Sequence, residues 1–244
     1  MTSILKTNAI EPQSGTTLTI GQSGQNVVIN ADSIKNNVVN DAGGKALFTS
    51  NGSGVLSGVN AGFGSAQVLI STTTVSSAVG SISFTSGLTS TYKEYVFEWT
   101  NIKPVTNNVN LQVGFSSNGG SSYGIEKTTT FVYVYNNNAN NSSSFTYQTA
   151  RDLANSTGAQ QIASLQGNGA SECSSGTLRL FNPASTTYVK NFYVVANSYD
   201  NSGPYYIYNI PAGYVNTTSA LNAIQFTMSS GNIASGKMKM YGIK

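Results

Sequence analysis

The chain has 244 residues, enough for one substantial domain or a domain with an appendage, and only 9% of them are charged, far below the roughly 25% of ordinary globular proteins. A net charge of +3, spread without runs, gives no electrostatic footprint for nucleic acid or an anionic membrane, so neither partner is expected. There is no histidine and one cysteine, Cys173, which excludes His-based acid–base catalysis, Ser-His-Asp and Cys-His arrangements, the usual zinc sites and an intrachain disulfide.

From Met1 to about Ser71 the apolar pieces are short and divided by glycine: Thr17 to Ile20, Val27 to Ile29, Ile34, Val38-Val39, Leu47-Phe48 and Val55-Leu56. Each holds too few large residues for a lone molecule to bury well, so the segment is expected to be extended and completed by other copies of the chain. A flexible Gly/Ser linker is the alternative reading, because the apolar spacing is irregular. Residues 1–71 are accordingly read as an extended N-terminal β and loop segment, and residues 72–244 as a separate head.

After Val68 to Ile70 and the alternating Ile82 and Phe84, the clearest strand is Tyr92 to Thr100. Its period of two places Tyr95, Phe97 and Trp99 on one face, the expected core face, and Glu94, Val96 and Glu98 on the other. Further strands are predicted at Leu111 to Phe115, Thr130 to Tyr135, Ser144 to Tyr147, Thr177 to Phe181, Val189 to Ala196 and Tyr205 to Tyr208. The separators are turn-formers, among them Ser117 to Gly120, Asn136 to Asn141, Asn182-Pro183 and Asn201 to Pro204. Thr149 to Leu165 is the one helix-leaning stretch, weakened by Gly158, with room for a turn or two of helix. At the C-terminus Ile224, Phe226 and Met228 alternate with polar residues, as do Met238 and Met240, and glycines at 231 and 236 suit a loose hairpin between them. So many short strands with frequent turns predict an all-β fold, an antiparallel β-sandwich of jelly-roll type.

The chemistry on offer is sparse. A glycosidase needs two carboxyl groups about 5 to 9.5 Å apart, whereas the backbones of Glu94 and Glu98 are about 13 Å apart along one strand. Glu126, Asp152, Glu172 and Asp200 are read as solvated acids, and Asp200 alone is a thin oxygen set for calcium. No metal, cofactor or catalytic residue is expected. Cys173, lacking His or a basic sequence neighbour, is read as idle. The 14 tyrosines say more, clustering at Tyr133/Tyr135 and Tyr205/Tyr206/Tyr208. Exposed rings stack on sugar faces while amides bond the hydroxyls, and alternate tyrosines also simply line a sheet. The expected binding surface is a tip formed by the loop from Asn136 to Ser143 and the stretch from Tyr199 to Tyr206, with Asn137, Asn138, Asn140, Tyr199, Tyr205 and Tyr206 as candidate ligand contacts.

Two stretches carry a resemblance: Met-Thr-Ser-Ile-Leu-Lys-Thr-Asn-Ala-Ile at the start, and Ser-Gly-Asn-Ile-Ala-Ser-Gly-Lys-Met-Lys-Met-Tyr-Gly-Ile-Lys at the end. They resemble the two ends of fibre and receptor-binding structural proteins of tailed bacteriophages, marine and cyanobacterial ones in particular. The resemblance implies a non-enzymatic virion component made in the host cytoplasm, a homotrimeric tail fibre attached to other virion proteins by its N-terminal segment and binding a host-surface glycan with its head. The missing basic-then-apolar signal and the lack of a bilayer-length apolar run agree with that expectation. Rival readings are a capsid decoration or head-fibre protein without a receptor, a depolymerising tail spike, and a bacterial carbohydrate-binding module.

Overall fold

The computed structural model describes residues 38–40, 43, 45–50, 53, 56–59, 66–200 and 204–244. The chain divides into two compact units, Met1–Phe63 and Gly64–Lys244. In the first, β1 (Val38–Asn40), β2 (Ala46–Ser50) and β3 (Leu56–Val59) form an antiparallel three-stranded sheet in chain order. The earlier apolar pieces, Thr17 to Ile20, Val27 to Ile29 and Ile34, lie outside the described residues.

The second unit starts ahead of the 71/72 division drawn from the sequence, since its first strand, β4 (Gln67–Val75), is already part of a sheet. Then follow β5 (Ser81–Phe84), β6 (Glu94–Pro104), β7 (Val109–Ser116), β8 (Lys127–Asn137), β9 (Ser143–Tyr147), β10 (Gln160–Gln166), β11 (Ser174–Phe181), β12 (Lys190–Asp200), β13 (Tyr205–Val215), β14 (Ala223–Met228) and β15 (Ile233–Ile243). Eight strands in the order β4-β15-β6-β11-β12-β13-β8-β9 make the larger sheet, and four in the order β10-β7-β14-β5 make the smaller. Every strand pairing in both sheets is antiparallel. The expected all-β antiparallel sandwich is present. Its strands among the described residues outnumber the eight of a jelly roll.

The core is the space between the sheets. Tyr95, Phe97 and Trp99 face inward as their alternation requires, each at most 2% exposed. Phe226 of β14 meets them from the smaller sheet, its ring centroid 5.7 Å from Phe97, 6.5 Å from Trp99 and 6.4 Å from Phe84. Further along, Phe115 of β7 packs on Phe192 of β12 with centroids 5.2 Å apart. Aromatic side chains bury about 150 to 250 Å² each, so this cross-sheet contact carries much of the hydrophobic stabilisation.

Two expectations need correction. The last two strands are not a hairpin. β14 pairs with β5 and β7 in the smaller sheet, whereas β15 lies between β4 and β6 in the larger one. Ile224, Phe226 and Met228 therefore face Met238 and Met240 across the core, and all five are buried. Equal alternation fits two opposed sheets as well as one hairpin, and hydrophobic burial favours opposition. Gly231 makes the crossing possible with φ of +70°, where an added Cβ would lie 2.2 Å from Thr106 Oγ1. The helix-leaning stretch holds only a single 3-10 turn, Thr149–Arg151, and its C-terminal part is strand β10. Pairing with β7, interrupted by register shifts, overrides local helical preference there.

Candidate functional site

The larger sheet has more strands than the smaller, and β10 packs mainly against β12 and β13, with β8 and β9 the next strands outward in the larger sheet. On β8 the alternation that buries Phe131 puts Tyr133 and Tyr135 on the same inner face. Register pairs Tyr135 with Ile207 and Tyr133 with Asn209, and Tyr205 with Asp200 on β12, so these side chains share that face. Tyr133, Tyr135, Asp200, Tyr205 and Ile207 line an open cleft of about 200 Å³ whose opposite wall is Leu165 of β10.

Leu165 is placed by an unusual backbone. Its φ is +53°, in the left-handed region that a branched apolar residue rarely enters, and its N–H donates to Asn110 Oδ1 at 3.0 Å. One residue earlier, the Ser164 carbonyl accepts from Ser198 Oγ at 2.7 Å, tying the end of β10 to β12.

The rings form a row. Phe131 and Tyr133 have centroids 6.5 Å apart with planes at 86°, Tyr133 and Tyr135 are 5.9 Å apart at 65°, and Tyr135 and Tyr205 are 5.2 Å apart at 81°. These are edge-to-face contacts, favoured by the ring quadrupoles. At the Phe131 end the Arg151 guanidinium carbon stands 5.6 Å from the ring centroid, its Nη1 donating to Asn110 Oδ1 and Gln161 Oε1. Asp200, 4% exposed, is the only formally charged residue among the described residues that line the cleft.

The six sequence candidates fall into separate groups. Both predicted segments do meet at one end of the sandwich: Asn137 pairs with Tyr205 across β8 and β13, and the Asn138 N–H donates to the Pro204 carbonyl at 3.2 Å. Within that end, Asn137 is structural. Its Oδ1 accepts the N–H groups of Asn141 and Ser142 at 3.0 and 3.1 Å, and its amide donates to Asn141 Oδ1 at 2.6 Å, which closes the hairpin turn. Asn140 holds a φ of +52° in that turn and accepts from the Asn136 amide at 3.2 Å. Asn138 is exposed at the tip. Of the tyrosines, only Tyr205 enters the cleft. Tyr199 and Tyr206 are paired across β12 and β13 on the opposite, outer face, and the Tyr206 hydroxyl donates to Asn197 Oδ1 at 2.8 Å. Tyr133 and Tyr135, seen in the sequence as a cluster, were separable as cleft residues only by the inward parity that Phe131 sets. Leu165 gave no sequence signal.

Three acids outside the cleft have local partners. Asp152 accepts from the Phe131 N–H at 2.8 Å and from the Tyr147 hydroxyl at 2.5 Å, and the latter bond raises the phenol's pKa. Glu172 accepts from the Gly169 N–H at 2.6 Å, and Glu94 forms an ion pair with Arg179 at 2.5 Å. Among the described residues no group of three or more His, Cys, Asp or Glu is placed to hold a metal ion. Cys173 does have a basic neighbour in space, Lys103, which lines the same hollow, but burial outweighs it and pushes the thiol pKa up. No described helix is long and apolar enough to cross a membrane. No family model, no curated protein and no solved structure matches the chain.

Proposed function

We propose that the chain is a structural protein of a tailed-bacteriophage virion, a homotrimeric tail fibre whose sandwich binds a host-surface glycan at the tip cleft. The observation that carries this reading is the cleft itself. Three tyrosine rings and one carboxylate converge there, beside an exposed amide-rich turn that can bond hydroxyls. The reading assigns the recognition to binding rather than catalysis, with other virion proteins held through the N-terminal segment. Copies on one particle turn weak single contacts into avidity.

The larger sheet supports self-association. Its outer face on β12, β13, β8 and β9 carries Tyr193, Val195, Tyr199, Tyr206, Tyr208, Ile210, Val132, Val134, Phe145 and Tyr147 and no charged residue. The charges of that face, Glu94, Glu98, Lys103, Arg179, Lys237 and Lys239, lie on the other four strands. An uncharged face meets its own copy without like-charge repulsion. Three strands of eleven residues and one of five cover about 600 Å² by strand spacing and rise, about three quarters of the roughly 800 Å² per partner of a stable interface.

The test is binding of the purified full chain to host cells and to an array of host polysaccharides, beside Tyr135→Ala and Tyr205→Ala. Saturable binding by the parent and its loss in both variants supports the reading. No binding, together with particle labelling on the head, favours a decoration or head-fibre protein, and release of reducing ends from polysaccharide favours a depolymerase.

A further inference from the structure

We propose that the tip cleft is an aromatic cage for an ammonium group, quaternary or primary, carried on the host-surface polymer. This names the ligand chemistry of the site and rests, for its biological role, on the receptor reading above.

Ring geometry is the first reason. A flat sugar ring asks for one broad platform parallel to its face, whereas Tyr133, Tyr135 and Tyr205 stand at 65° and 81° to their neighbours in the row. Steeply inclined rings present electron-rich faces from several directions, which suits a compact, roughly spherical cation. Charge is the second. Asp200 is the one formally charged residue among the described residues of the lining, it is an acid, and its register pairing with Tyr205 sets it among the tyrosines. An acid set among apolar surfaces attracts a cation more strongly there than in open water, because the local dielectric is low. Leu165 and Ile207 complete the walls and match the methyl groups of a quaternary ammonium.

Size agrees. A cavity of about 200 Å³ has room for a choline-sized group and not for an oligosaccharide, so the cage would take the substituent and leave the saccharide backbone outside, against the Asn138 side of the tip. The molecule also contains its own precedent. The far end of the same ring row is occupied by a cation, with the Arg151 guanidinium over Phe131.

The experiment is titration of the purified full chain with choline chloride at constant ionic strength, read by calorimetry or by tyrosine resonances in NMR, beside the neutral isostere 3,3-dimethylbutan-1-ol. Choline is expected to saturate one site at least about tenfold more tightly than the alcohol, since only the cation engages ring faces and carboxylate. Tyr205→Ala should weaken choline by about tenfold or more, and Tyr205→Phe, which keeps the ring, by less than about threefold. Equal affinity for choline and the alcohol, or no binding of either, overturns the cage, and this comparison on the parent chain stands even if a variant fails to fold. Host-cell binding separates the two proposals. Cells bound by a chain that ignores choline defeat the cage and leave the receptor reading intact. Choline bound by a chain that ignores cells does the reverse.

Discussion

Asn209 of β13 reaches across the sandwich to Ser164 of β10, its Oδ1 accepting the Ser164 hydroxyl at 2.5 Å and the Ser164 backbone N–H at 3.2 Å. The amide nitrogen spends its hydrogens on the larger sheet, toward Ser198 Oγ at 3.2 Å and the carbonyls of Ala196 and Ile207 at 3.4 Å. Both residues are fully buried. Replacing Asn209 by Ala or Leu strands the Ser164 donors away from water, and leaving buried donors unpaired costs about 1 to 3 kcal/mol. Chemical denaturation should show a loss of about 2 to 4 kcal/mol for Asn209→Leu, because a cross-sheet link is lost as well. The same variant should loosen Leu165 and weaken any ligand of the cleft.

Gly236 should tolerate no side chain. Its φ is +133°, it sits where the pairing of β15 with β6 shifts register, and an added Cβ would lie 2.7 Å from the Asn101 carbonyl oxygen and from Ile102 Cδ1. Gly236→Ala is therefore expected to destabilise by about 2 kcal/mol or more, combining backbone strain with overpacking against a buried strand. The exposed Gly119, with nothing within 4 Å of an added Cβ, isolates the strain. Its Ala variant should lose about 1 kcal/mol, the cost of φ +72° alone. Thermal unfolding of the pair measures the difference.

Lys127 gives the sandwich a pH dependence. The side chain is fully buried, Nζ donates to the Ile125 carbonyl at 2.5 Å, and burial pulls the amine from its ordinary 10.5 down to about 8. The folded state then holds fewer protons than the unfolded chain between pH 8 and 10.5, so stability rises with pH through that window. Below about 8 the cost of burying the cation is present in full. Lys190, paired in register with the same Val215 from the other side, is also lowered by burial and acts with the same sign. Denaturation between pH 7 and 10 should show a gain on the order of 1 kcal/mol, which Lys127→Met reduces to the part that Lys190 supplies. A fall in stability over that range would mean the amine stays charged when buried.

Period-two alternation made most strands legible, since inward Tyr95, Phe97, Trp99, Ile224, Phe226 and Met228 had to lie on a core face wherever their strands paired. Sheet membership was not legible for the same reason. Alternation says which side of a strand is buried and is silent on its partner, so β14 and β15 read as a hairpin although they belong to opposite sheets. β10 was hidden because its inner face holds Gln160, Ser164 and Gln166, all fully buried, and buried amides break the apolar pattern a strand is found by. At the candidate site, turn chemistry located the tip, as Asn137 and Pro204 show. The same pattern blurred faces: Tyr205 and Tyr206 are adjacent in sequence and therefore point to opposite sides of the sheet.

The uncharged half of the outer face makes a prediction about assembly. Val134 stands there between Phe145, 72% exposed, and Tyr208, its register partners on β9 and β13. A lysine at this position places a strongly hydrated charge in the middle of the patch, and each copy would have to desolvate it against the same apolar surface of its neighbour. Thr74→Lys is the control, since Thr74 pairs with Lys237 on the charged half. Light scattering of the full chain should give an oligomer for the parent and for Thr74→Lys, and a shift toward monomer, at least about tenfold in dissociation constant, for Val134→Lys. A monomeric parent ends the self-association proposal outright. An oligomer that survives Val134→Lys moves its interface off this face and onto the N-terminal unit, where the apolar pieces between Met1 and Phe63 would have to hold it.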